Sequence, residues 1–126
     1  MSNVDTARSA YEAFAKGDLA TVQESFAENA VWITSDELPL GGTIEGRDQI
    51  MGNFAQIPNY WNEFSVEPEE FIEADSYVIV RGNQHAANDK GSMDAAFVHV
   101  IKYNDEGKLQ RSEYFTDTAK EAKLLG

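Results

Sequence analysis

A chain of 126 residues and 14.0 kDa has room for one compact domain and not for two. With 42% apolar, 25% charged and 11% aromatic residues it has the composition of a folded globular protein, not of a disordered one. Its 22 acidic against 10 basic side chains leave a formal charge of -12, a field that repels nucleic acid and anionic lipid. The absence of cysteine excludes disulfides, thiolate metal sites and cysteine nucleophiles.

In chain order, Met1 to Thr6 lacks the basic and apolar blocks of a secretory leader, so none is expected. Val4, Ala7, Tyr11 and Phe14 follow helical spacing, with Ser2 or Asn3 as a cap and Lys16-Gly17 as a stop. Asp18 opens a second short helix with Leu19, Val22 and Phe26 on one face, ending at Asn29. The β-branched and aromatic run Ala30 to Thr34 reads as a strand. Ser35 to Gly46, with Pro39, Gly41 and Gly42, reads as a loop. Arg47 to Ile57 returns to helical spacing and Pro58 closes it.

The period then changes. Glu63 to Ala74, Ser76 to Ala87, Ser92 to Tyr103 and Leu109 to Thr116 read as four strands joined by turn sequences. Three helices followed by an antiparallel meander is an α+β pattern: one domain, 1-126, with a curved sheet around its N-terminal helices and space for a cavity between the layers. The longest apolar runs, such as Tyr77-Val78-Ile79-Val80, are too short to span a membrane, and a cytoplasmic location is expected.

Strand parity decides which side chains face that cavity. One reading puts Arg81, Asn83, His99, Arg111 and Glu113 on the inner face, amid Phe97, Ile101 and Phe115. Burial would then shift their pKa values and make an acid–base site. The opposite reading leaves the same charges in water.

The segments Tyr11-Glu12-Ala13-Phe14-Ala15-Lys16-Gly17-Asp18-Leu19, Phe26-Ala27-Glu28-Asn29-Ala30-Val31-Trp32, Gly42-Thr43-Ile44-Glu45-Gly46-Arg47-Asp48-Gln49-Ile50 and Glu113-Tyr114-Phe115-Thr116-Asp117-Thr118 resemble, in order, those of SnoaL-like proteins. These are polyketide-cyclase relatives in the nuclear-transport-factor-2-like superfamily, with a cystatin-like fold. The resemblance implies an α+β cone, or barrel: a bent mixed sheet wrapped around three helices and a deep apolar pocket, dimerising through the outer sheet face. It implies either cofactor-free isomerase, cyclase or epoxide-hydrolase-like chemistry or a non-catalytic binding module. The ketosteroid isomerase base falls on Thr34, its oxyanion tyrosine one residue from Tyr11, and its second oxyanion donor near His99. The Arg-x-Asp and second aspartate of limonene-epoxide hydrolase fall on Arg81-Gly82-Asn83 and Glu113, so one carboxylate has become an amide.

The candidate site is therefore His99 as acid or base, Glu113 as its partner, and Arg81 with Asn83 as holders of a substrate oxygen. Tyr11, Trp32, Thr34, Phe54, Trp61, Phe97 and Phe115 are the candidate lining for a small apolar ligand. Core packing for the aromatics and surface ion pairs for Arg81 and Glu113 are the competing assignments. No cofactor is called for. Two histidines at 85 and 99 without ligand spacing, no glycine-rich phosphate cradle and no nucleophile elbow give no metal, phosphate or triad site. The cluster Glu67, Glu69, Glu70, Glu73 and Asp75 reads as a solvated strand edge.

Overall fold

The computed structural model describes residues 2–126; Met1, where the segment read for a leader begins, lies outside the described residues. Helix α1 spans Asn3–Ala15, opened by a capping box in which Ser2 and Asp5 each bond the other's backbone N–H. Asp18 caps the short α2, Leu19–Glu24. Strand β1 is Phe26–Thr34 and β2 is Gly42–Glu45. Helix α3, Arg47–Ala55, leads through a 3-10 turn with Pro58 in it to β3, Glu63–Ala74. Then follow β4 (Tyr77–Asn88), β5 (Gly91–Tyr103), β6 (Leu109–Thr116) and α4 (Thr118–Leu125).

The six strands form one open mixed sheet in the order β2-β1-β6-β5-β4-β3. Only β1 and β6 run parallel; the other neighbours are antiparallel. The expected α+β fold and the four-strand meander are thus present. Three elements differ from expectation. The strand expected from Ala30 begins at Phe26, because Leu109 N–H donates to Ser25 C=O and pairs Phe26 into the sheet instead of into a helix. Inside the expected loop, Gly42–Glu45 pairs with β1. After Asp117 the chain adds α4, an element the sequence reading did not include.

Helices α1–α3 cover one face of the sheet. The core between them holds Ala7, Val22, Phe26, Ile50, Phe54, Val78, Val80, Phe97 and Ile101, with Tyr11, Phe14 and Trp32 packed against it. A smaller cluster of Trp61, Ala86, Met93 and Ala95 receives Leu124 and Leu125 of α4. Among the described residues no helix is long and apolar enough to cross a membrane.

Candidate functional site

The turn Asn88-Asp89-Lys90-Gly91 sets the geometry. Only two residues separate the paired Asn88 and Gly91, and this register carries along the ladder to pair Val80 with His99 and Arg81 with Val98. On β6, His99 lies opposite Tyr114, and Val98 opposite Phe115. Even-numbered positions of β4, odd of β5 and even of β6 therefore share the inner face.

This corrects the expected convergence. His99 points inward and is 4% exposed, but Arg81, Asn83 and Glu113 stand on the outer face. There Arg81 Nε donates to Glu70 at 2.6 Å, Asn83 Nδ2 donates to Glu69 at 2.6 Å, and Glu113 lies 3.5 Å from Arg111. The Glu70 carboxylate raises the Arg81 pKa further. Phe115, 55% exposed, borders an adjoining depression with Ile33 and Thr34 and does not line the cavity. Phe97 is fully buried, its ring stacked between Tyr11 and Tyr114 with centroids 6.2 and 5.2 Å away.

The inner face lines a half-open cavity of about 180 Å³. Tyr11, Trp32, Thr34, Phe54, Trp61 and His99 all line it. It is small beside the ~300–1,000 Å³ of drug-sized sites, which suits a compact ligand. Neither lysine nor arginine borders it among the described residues, and Glu121 is its one carboxylate. No group of three or more His, Asp or Glu side chains comes together there or elsewhere among those residues as a metal site.

His99 sits within a ring of Tyr11, Trp32 and Tyr114, with centroids 5.1 to 5.9 Å from the imidazole. Loss of solvation pulls its pKa down to about 3, so it is neutral at physiological pH and a weak base. Its Nδ1 lies 2.8 Å from Tyr11 Oη and its Nε2 2.5 Å from Ser112 Oγ. Ser112 is fully buried, and its hydroxyl has no other side-chain partner among the described residues. Were Nε2–H the donor, the Ser112 O–H would be stranded at a cost of ~1–3 kcal/mol. The satisfied arrangement has Ser112 O–H donating to Nε2 and Nδ1–H donating to Tyr11 Oη. Tyr11 then keeps its own O–H to offer to the cavity. Burial raises the Tyr11 pKa, so that proton stays in place.

The SnoaL-like domain family matches residues 7–112. The chain belongs to the SnoaL-like family. An NTF2-like protein of unknown function from Burkholderia pseudomallei is 32% identical, with 99% of this chain and 98% of that one covered and a TM-score of 0.90. TerC, crystallised with polyporic acid, is 26% identical over 98% of this chain and 97% of its own, with a TM-score of 0.89. A Xanthomonas campestris protein with a cystatin-like fold, 19% identical over 100% and 99% of the two chains, shares the fold at a TM-score of 0.92. Among functionally curated proteins no sequence matches.

In this SnoaL-like chain the inner face also holds polar groups that the sequence reading passed over: Ser112, Gln84, Tyr114 and Glu121. Tyr114 O–H donates to Gln84 Oε1 at 2.6 Å, and Gln84 Nε2 donates to Glu121 Oε1 at 2.5 Å. The register set by the two-residue turn marks Gln84, whereas Ser112 and Tyr114 depend on the β5–β6 pairing, whose register shifts between Lys102 and Tyr103. Tyr114 and Glu121 lie beyond the segment that the family matches.

Proposed function

We propose that this SnoaL-like protein binds a compact, uncharged, apolar ring compound and performs cofactor-free proton-transfer chemistry on it. The observation that carries the reading is the buried Ser112–His99–Tyr11 chain, which leaves one hydroxyl donor facing an aromatic cavity. A donor held in an apolar, water-poor site stabilises charge developing on a carbonyl oxygen more than the same donor in water does. The kinship with a protein crystallised with polyporic acid supports a cyclic organic ligand.

2-Tetralone, a small ring ketone, and its hydrocarbon counterpart tetralin test the reading by titration calorimetry. The wild-type protein is expected to prefer the ketone, and Tyr11→Phe to bind it roughly tenfold more weakly and to lose the preference. Equal affinity of wild type for both compounds would remove Tyr11 from ligand recognition. Binding of neither would remove the small-molecule reading itself. Turnover calls for a proton acceptor in the cavity other than the weakly basic His99; without one the protein binds its ligand unchanged, which is the second reading.

Outside the cavity, the sheet exposes Ile72, Tyr77, Val98 and Phe115 beside the Arg81–Glu70 pair. A homodimer through this face is part of the proposal. Sedimentation is expected to give about twice the chain mass for wild type and the monomer mass for Val98→Glu, because a charge cannot be buried there without a partner. A wild-type monomer would discard the dimer.

A further inference from the structure

Helix α4 brings the carboxylate of Glu121 to the cavity wall. Its docking is built from several contacts. Leu124 and Leu125 pack on the Trp61, Ala86, Met93 and Ala95 cluster. Asn88 Nδ2 donates to Leu124 C=O and Lys120 Nζ to Asp94 C=O, each at 2.9 Å, and Lys90 Nζ donates to Gly126 C=O. Glu121 is consequently 7% exposed although it sits on a short, highly charged helix. Its Oε1 accepts from Gln84, whose own carbonyl is held by Tyr114. Both ends of the Gln84 amide are thus tied, and the carboxylate orientation with them. Oε2 has no partner among the described residues, yet it does not count among the buried unpaired atoms, so it keeps accessible surface.

We propose that Glu121 is the proton acceptor of the cavity, taking a proton from the carbon beside the carbonyl of an uncharged ring ketone whose oxygen is held by Tyr11. The inference rests on the small-molecule reading above and supplies the group that His99 cannot be. In the step the C–H bond breaks and an O–H bond forms at Glu121. The C–H electron pair becomes the new C=C bond, and the carbonyl π pair moves to oxygen, where the Tyr11 O–H meets the charge. Return of the proton to the same or a conjugated carbon regenerates the carboxylate, so no oxidant or further reactant is consumed.

Two physical facts support the assignment beyond placement. Loss of solvation raises the Glu121 pKa, offset in part by the Gln84 hydrogen bond, which makes it a stronger base than an exposed carboxylate and than the desolvated His99. With no cation on the cavity wall among the described residues, a carboxylate or phosphate ligand would face Glu121 uncompensated. The substrate class is therefore neutral.

The test follows hydrogen–deuterium exchange of 2-tetralone by proton NMR, in parallel with its binding. Wild-type protein is expected to accelerate exchange beside the carbonyl. Glu121→Gln, which keeps an oxygen for Gln84 to bond, is expected to bind the ketone within about twofold of wild type and to lose ~100-fold or more of the acceleration. The wild-type rate is expected to rise with pH through a pKa above the ordinary carboxylate range. Acceleration surviving in Glu121→Gln, or a wild type that binds without accelerating, overturns the assignment and leaves the binding reading intact. A wild type that does not bind 2-tetralone overturns both.

Discussion

On acidification from about pH 7 to about pH 4, the wild-type protein is expected to lose stability faster than a His99→Gln variant, by up to ~1.4 kcal/mol per pH unit. The imidazole titrates near 6.5 when unfolded and near 3 in the fold. Between those values the unfolded chain binds the proton that the folded chain refuses, so stability is fully present above the upper value and drains away as pH falls toward the lower. Glu121 acts with the opposite sign: its raised pKa favours the fold below the ordinary carboxylate value, and that gain is lost as pH rises through the raised one. It is common to both proteins and cancels in the comparison, as do the surface carboxylates. Glutamine retains hydrogen-bonding capacity toward Tyr11 and Ser112 without a titrating ring. Urea unfolding across this pH range measures the difference, and parallel curves for the two proteins would show that His99 is not held neutral.

Gly82→Ala is expected to destabilise the fold by ~3 kcal/mol, lowering the melting temperature by roughly 10 °C. The added Cβ would lie 2.0 Å from Glu67 carbonyl oxygen and 2.8 Å from Pro68 Cα, both backbone atoms that a side-chain rotation cannot move. The close approach arises at the bulge in β3, where the register shifts between Pro68 and Glu70. Proline offers no N–H to the ladder, and the bulge absorbs that loss while bending the strand. Far-ultraviolet circular dichroism melts would register the effect. A melting point within two or three degrees of wild type would mean that β3 slides away freely at this point.

How far the site was legible differs from residue to residue. The family and the α+β fold were carried by motifs spread along the whole chain, and the meander by its turn sequences. Tyr11, Trp32, Phe54 and His99 line the cavity from helices and strands whose spacing marked them, and Trp61 lines it from the segment between the 3-10 turn and β3, to which no element was assigned. The grouping of Arg81, Asn83 and Glu113 with His99 failed for one reason: alternation tells which residues of a strand share a face, but only register tells which faces of two strands coincide. For Arg81 and Asn83 the turn at Asp89-Lys90 contained that information, since a two-residue loop pairs Asn88 with Gly91 and puts Arg81 opposite Val98; the face of Glu113 depended on the β5–β6 pairing, whose register shifts between Lys102 and Tyr103. Charge also weighed too heavily in choosing candidates. The inner face uses Ser112, bonded to His99, and Gln84 and Tyr114, bonded to each other, uncharged groups that cost less to bury than ions. Glu121 was hidden more deeply. Thr118–Leu125 is eight residues of mixed charge, and the burial of a carboxylate on it depends on tertiary docking that no local pattern records.

That docking gives the β4–β5 turn a second task. Asn88 and Lys90 hold the backbone of α4 at Leu124 C=O and Gly126 C=O, and the preceding turn of this helix carries the carboxylate that faces the cavity. The same turn fixes the pairing that sends His99 inward. One tight hairpin tip thus moors two of the polar groups of the chamber, and substitutions at this tip would be felt inside although no residue of the tip touches a ligand there.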